Sequence, residues 1–108
     1  MDDESKRMQF IRGLEPAIAE ANRQAVHGQI PKVDKDCFLR FAVSVARARA
    51  HYLGEAMRFA AREHGEELDS AEVQRLRDLR ERYEEALKAY DALAHAVERG
   101  YVEVDTTT

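Results

Sequence analysis

Five arginines and one acidic residue lie between Phe38 and Arg62 of this 108-residue chain. At about 100° per residue in a helix, four of these arginines share a narrow sector with one histidine. We expect this set to bind a partner: Arg40, Arg47, His51, Arg58 and Arg62. Guanidinium groups in a row can pair with carboxylates of an acidic protein or follow the phosphates of a nucleic acid. A third interpretation is a solvated face whose arginines pair with acids of the same protein or of a neighbouring subunit.

The overall charge favours a protein partner over nucleic acid. The net charge is −4, whereas nucleic-acid-binding domains are usually basic. Aromatic residues are not interleaved with the arginines, so the row lacks a platform on which single-stranded bases could stack. We therefore expect a protein–protein interaction or regulatory module that acts by binding. The alternative is a nucleic-acid-associated regulator that contacts phosphates through the same arginines.

The sequence contains no motif that predicts catalysis. It has neither a glycine-rich phosphate loop nor a nucleophile-elbow pattern. His51 and Glu55 are spaced so that both could bind one metal ion, but the Glu-x-x-His pairs of di-iron bundles do not occur. Cys37 has no histidine base near it in the sequence, and we expect it to be a small buried side chain. We therefore expect neither enzymatic activity nor a metal or other cofactor.

The single cysteine and the N-terminus bear on the compartment. One cysteine cannot form an intramolecular disulfide, which is typical of a reducing compartment. No apolar run reaches the length of about 18 residues that crosses a bilayer. The start Asp2-Asp3-Glu4 is unlike the basic start of a signal peptide. We expect a cytoplasmic protein that does not enter a membrane.

Glycines and acids predict the ends of three helices. A glycine that follows a potentially cationic residue is typical of a helix C-terminus, and three positions fit: Gly28, Gly65 and Gly100. Asp34 and Asp69 stand at N-cap positions, and Glu72 completes a capping box with Asp69. The predicted helices cover about residues 5–27, 35–64 and 70–99, and a short extended tail covers 101–108.

Proline and glycine also predict two irregular regions. Pro16 cannot bond to the carbonyl four residues back, and it disfavours helical geometry at Glu15. We therefore expect a kink or a break near Gly13–Pro16. After Gly100, the segment 101–104 alternates like a short strand. Its Tyr and Val side chains would pack on the end of the bundle, or its edge would pair with a partner.

The second helix carries apolar residues on two edges, and the third carries one heptad seam. The two edges together exceed the stripe that a surface helix needs, so the second helix must contact two neighbours. One edge consists of Leu39, Ala46, Ala50, Leu53 and Met57. The residues expected in core or dimer contacts are Phe38, Val45, Arg49, Tyr52, Phe59, Leu76, Leu79, Tyr83, Tyr90, Leu93 and Val97. Among them, Arg49 lies in an apolar sector, where we expect a structural ion pair.

Helix lengths favour an assembly. The second and third helices of about 30 residues span roughly 45 Å, more than the interrupted first helix can cover. The small residues Ala46, Ala50 and Gly54 would admit either the first helix of the same chain or a second subunit. We therefore predict an all-α fold, namely an antiparallel bundle of three main helices that is completed by homodimerisation.

Overall fold

The protein is described from a computed structural model that covers residues 2–106. Three helices and two short strands follow one another along the chain. They are α1 (Asp3–Gln29), β1 (Val33–Asp34), α2 (Lys35–Arg62), α3 (Ser70–Glu98) and β2 (Val104–Asp105). Helices dominate, which confirms the all-α class, and their ends lie within two residues of the predicted ones. Part of the predicted tail, Thr107 and Thr108, lies outside the described residues.

Helix α1 is continuous from Asp3 to Gln29 and passes through Pro16. The predicted break is therefore wrong, while the alternative, a kink at Pro16, stays a prediction. Proline removes only one hydrogen bond, the one to the carbonyl of Arg12, and helical turns continue on both sides. The helix begins with Asp2, whose side chain accepts a hydrogen bond from the backbone N–H of Ser5 at 2.7 Å. The acidic N-terminus therefore serves as a helix cap.

Two of the three predicted C-terminal glycines follow helix ends closely, and after α2 the residue before the glycine, His64, is left-handed as well, with a φ of 52°. Gly65 has a φ of 88° and Gly100 a φ of 77°, in the left-handed region that glycine adopts without a Cβ clash. Gly28 instead lies inside α1, whose C-cap is Ile30, so that prediction is wrong. The helix ends at Ile30 because Pro31 disfavours helical geometry in the residue before it.

The chain forms two compact units. The first comprises the residues up to Lys35 and those from His95 onward. In it, β1 and β2 pair in parallel with Val33 opposite Val104, and the N–H of Val33 donates to the carbonyl of Glu103 at 2.9 Å. Val33 and Val102 are buried. A two-residue strand therefore forms at the end of the C-terminal segment and pairs within the same chain; of the predicted residues 101–104, only Val104 belongs to it.

The second unit, Asp36–Ala94, is a helical hairpin. At one end, the rings of Phe38 and Tyr90 meet edge to face with centroids 5.2 Å apart. At the other end, Arg62 forms an ion pair with Glu72. The start of α2 therefore contacts the end of α3, and the end of α2 contacts the start of α3. The two helices thus run in opposite directions.

The residues predicted for core or dimer contacts differ in burial. Val45, Phe59 and Leu79 are buried, and Leu79 is only 2% exposed. Seven are partly buried: Phe38, Tyr52, Leu76, Tyr83, Tyr90, Leu93 and Val97. The five on α3, together with the buried Leu79, belong to the predicted heptad seam. Within residues 2–106, no helix combines the length and the apolar character that a membrane-spanning segment needs.

Candidate interaction surface on helix α2

An exposed row of apolar side chains runs along α2. We call it the outer seam, and its members are Leu39, Val43, Ala46, Ala50, Leu53 and Met57. Met57 is 72% exposed. Their spacing alternates between four and three residues, which is the spacing at which one helix packs along another. A contiguous exposed apolar surface of this kind is typical of an interaction site.

Sequence reasoning identified five of the six residues of the outer seam and missed Val43. Val43 could have been found from its spacing. It lies four residues after Leu39 and three before Ala46, which continues the alternation of four- and three-residue intervals along the seam. The structure adds the exposure, since periodicity alone does not show which of two apolar edges faces a neighbour. The edge that includes Val45 and Phe59 is buried, whereas the outer seam is exposed.

Three arginines follow one side of the outer seam. Arg40, Arg47 and Arg58 lie about 80–100° around the helix from its centre, and we call them the arginine edge. Arg40 forms an ion pair with Asp36 one turn earlier. Arg47 is exposed and forms no hydrogen bond or ion pair with another residue between 2 and 106. The centre of the arginine edge is therefore a free guanidinium beside an exposed apolar surface.

Arg58 is held close to the outer seam. Its guanidinium pairs with Glu55 at 2.7 Å, and this hydrogen bond holds the pKa of Glu55 below its ordinary value. A Cβ added at Gly54 would lie 3.5 Å from a guanidinium nitrogen of Arg58. The arginine therefore lies along the helix beside Gly54, at a distance that leaves room for a methyl group there.

Arg62 is engaged in the fold and lies away from the arginine edge. Its Nε and a terminal nitrogen donate to Oε2 of Glu72 at 3.1 and 2.5 Å. The other oxygen of Glu72 accepts from the N–H of Asp69 at 2.8 Å, and the N–H of Glu72 donates to Asp69 at 2.8 Å. This reciprocal pair is the predicted capping box. Arg62 thus connects the end of α2 to the start of α3.

Carboxylate oxygens of Glu63, Asp69 and Glu72 lie within 4.8 Å of one another. Burial acts to raise the pKa of Glu72, but hydrogen bonds from Asp69 and Arg62 outweigh it and lower the pKa. The pKa of Glu63 is raised, first by a hydrogen bond to Glu72 and then by burial. Oxygens in this arrangement can hold a hard cation. The capping bonds and Arg62 already account for the arrangement of the cluster.

The remaining predicted residues have other surroundings. His51 is exposed on α2 between Arg47 and Arg58. Arg49 donates to the hydroxyl of Tyr83 at 3.0 Å, and its guanidinium lies 5.2 Å from the centre of the same ring. Its partner within residues 2–106 is therefore a phenol rather than the expected carboxylate. Aromatic stacking of this kind suits a planar guanidinium.

Cys37 is exposed, so its predicted burial is wrong. It lies in the first turn of α2, where the next residue, Phe38, makes the contact with α3. Neighbouring residues of a helix point about 100° apart, so both side chains cannot face the same helix.

A second exposed apolar surface lies on α1. Its members share a sector of about 120° and form what we call the α1 stripe: Phe10, Ile11, Leu14, Ala17, Ile18, Ala21 and Ala25. Phe10 is 67% exposed, and none of the described residues of α1 is buried. Apolar residues this regular on one side of a helix predict a packed neighbour.

No family model, curated protein or solved structure matches this chain. Its class is therefore defined by its fold and surfaces. It is a small all-α protein that exposes two apolar helix surfaces, one of which is flanked by arginines.

Proposed function

We propose that this protein is a cytoplasmic helical interaction module that acts by binding rather than by catalysis. Its binding surface is the outer seam of α2 together with the arginine edge, and its ligand is an amphipathic helix with an acidic edge on a protein partner. One observation carries the proposal: Arg47, free of ion pairs among the described residues, lies beside an exposed apolar row with heptad spacing.

The spacing of the outer seam supports a helical ligand. A heptad row accepts the side chains of a second helix between its own, and helix-in-groove binding relies on such anchors. The arginine edge then selects the charge of that helix, because opposite charges across an interface favour the right partner and like charges exclude wrong ones. A carboxylate can form two parallel hydrogen bonds with Arg47.

The ion pairs within the chain favour a protein over a nucleic acid. Arg40, Arg58 and Arg62 each have a carboxylate partner in the structure. Phosphate recognition depends on uncompensated positive charge, since affinity comes from the release of counterions. A row with one unpaired arginine supplies little of that charge, whereas a single bidentate pair suits a protein interface.

Homodimerisation belongs to the same proposal. The outer seam and the α1 stripe are both exposed, and burying both in a dimer would complete an antiparallel helical bundle. Cytoplasmic location fits the single cysteine of the chain, because one cysteine cannot form the intramolecular disulfides that are typical of oxidising compartments.

Two synthetic helices test the proposal. They share one apolar heptad seam and differ only in carrying Glu or Lys along one edge, and their binding is followed by fluorescence anisotropy. We expect the Glu helix to bind at least about tenfold more tightly, and Arg47→Glu to reverse the preference. Arg77→Glu on the exposed surface of α3 is the matched control and should change neither affinity.

Two results would contradict the proposal. The first is that neither helix binds. The second is that duplex DNA binds with an affinity that falls steeply with salt and is lost in Arg47→Glu, which would establish the nucleic-acid alternative.

A further inference from the structure

We propose that the helix bound by the outer seam is α1 of a second copy of this chain, laid antiparallel on α2, so that two copies form a reciprocal dimer. This inference rests on the proposed function and names its partner. It is carried by matching features of the α1 stripe and the outer seam, both of which the described chain leaves exposed.

Charged residues on the two surfaces are complementary. Glu15 of α1 is exposed and, like Arg47, forms no ion pair or hydrogen bond with another residue in the described range. Glu15 lies about 100° from the centre of the α1 stripe, and Arg47 lies about 80° from the centre of the outer seam. When each helix is viewed from its own N-terminus, Glu15 and Arg47 are rotated away from these centres in the same direction. Antiparallel packing therefore brings these two edges together.

A second charge pair falls into the same register. Glu4 lies eleven residues before Glu15, and Arg58 lies eleven residues after Arg47. Eleven residues make about three turns, so each residue returns to the same edge of its helix. In an antiparallel pair that sets Glu15 beside Arg47, Glu4 is therefore beside Arg58. One alignment therefore sets an acid beside each arginine, with Arg58 also paired to Glu55 of its own helix.

Two apolar side chains of the α1 stripe match the outer seam in size in this register, whereas Phe10 falls beside the large Leu53. Leu14 falls between Ala46 and Ala50, the smallest members of the outer seam. Ala21 falls beside Leu39, where the side chains of the outer seam are large again. Large residues opposite small ones allow two helices to interdigitate without voids. The alignment fixed by the charges thus also sets large side chains opposite small ones at these two positions.

The area of contact favours two reciprocal contacts. A contact along the outer seam is about 27 Å long and 10 Å wide, so it buries roughly 600 Å² on both helices together. Stable interfaces bury at least about 1,000 Å². A two-fold dimer makes the contact twice and exceeds this value. Pairing two outer seams instead would set Arg47 beside its own copy, which like-charge repulsion disfavours.

Disulfide trapping between two separately prepared variants tests the pairing. Both carry Cys37→Ser, one adds Glu15→Cys and the other adds Arg47→Cys. After mixing and oxidation, we expect a disulfide-linked heterodimer as the main product. The matched control replaces Glu15→Cys by Arg12→Cys, which lies on the opposite side of α1 from the stripe, and should give little cross-link.

Charge exchange provides the equilibrium test. Sedimentation should show a dimer at micromolar concentration, which Glu15→Arg weakens by about tenfold or more and which Glu15→Arg with Arg47→Glu restores. Glu81→Arg on α3 is the control and should leave the dimer unchanged.

Three results would overturn the inference. They are a strict monomer, a disulfide that forms within one chain of a Glu15→Cys/Arg47→Cys variant, and failure of the double exchange to restore the dimer. If the Glu-edged synthetic helix still binds in any of these cases, the partner is a different protein, and the proposed binding of an acidic helix stands without the homodimer.

Discussion

Arg62 and Glu72 form a two-point contact in which Nε and one terminal nitrogen of the guanidinium donate to the same carboxylate oxygen, at 3.1 and 2.5 Å. Glu72 is 2% exposed, and its second oxygen caps the start of α3 through the N–H of Asp69. A single carboxylate therefore holds the turn of the hairpin and the first turn of the helix.

Removing the cap should destabilise the hairpin in graded steps. Asp69→Ala loses one capping bond and should lower the free energy of unfolding by about 1 kcal/mol. Glu72→Ala should cost more, because it also leaves the N–H of Asp69 and the guanidinium of Arg62 without their partner. Urea denaturation measures both. Glu81→Ala, on the exposed surface of α3, should change stability little, and equal losses in all three would contradict the assignment.

Glu63 should make the stability depend on pH. Its pKa is raised by the hydrogen bond to Glu72 and by burial, so its contribution is complete below its ordinary pKa and is lost as pH rises through the higher folded value. Glu63→Gln keeps a hydrogen-bond donor at every pH. The variant should match the natural protein near pH 4 and exceed its melting temperature near pH 7.

Glu66→Gln, exposed in the same turn, is the control for this pH series. Glu72 should make the stability change with pH in the opposite direction. Its pKa is lowered because hydrogen bonds outweigh burial, so its contribution is present above its ordinary pKa and is lost as pH falls through the lower folded value. A constant difference between Glu63→Gln and the natural protein across this range would contradict the predicted role of Glu63.

The core of the hairpin can be tested with two valines. Val45 is buried and Val73 is about half exposed. Val45→Ala removes two buried methyl groups and leaves a cavity, which should cost about 2 kcal/mol. Val73→Ala should cost well under half of that, and thermal unfolding followed by circular dichroism measures both. Similar losses would mean that the buried side of α2 is not the one that contacts α3.

Glycines allow a test of backbone conformation. Gly28 lies within α1, and a Cβ there would meet no atom within 4 Å. Gly28→Ala should therefore stabilise the protein by about 1 kcal/mol. Gly65 has open space too, but its φ of 88° strains any residue with a side chain, so Gly65→Ala should destabilise. Stabilisation by both would show that Gly65 does not end α2.

Local sequence signals predicted the helices well. The capping box of Asp69 and Glu72 and the glycines at 65 and 100 act within one turn of the chain, so their effect depends little on distant residues. Pro16 and Gly28 were misinterpreted for a related reason. Neither a proline nor a glycine ends a helix when the turns around it continue to form, and at the end of α1 the stronger signal was Pro31.

Pairing between distant residues could not be predicted in the same way. The ladder of Val33 with Val104 joins two segments that each looked like a loop or a tail. On α2, the sequence located the arginines but did not show which of them have partners. Arg62 and Arg49 find theirs on α3, whereas Arg47 has none among residues 2–106. Such differences depend on how the hairpin aligns, and periodicity within one helix does not contain that alignment.

The parallel strands also affect the order in which the protein folds during synthesis. The first compact unit combines residues up to Lys35 with those from His95 onward, while the second is contiguous in sequence. Domains fold as their residues leave the ribosome, and the residues of the α2–α3 hairpin leave it before those of β2. The N-terminal helix, although translated first, must wait for Val102 and β2 before its unit is complete. Completing the unit does not cover the α1 stripe, which stays exposed with both strands in place.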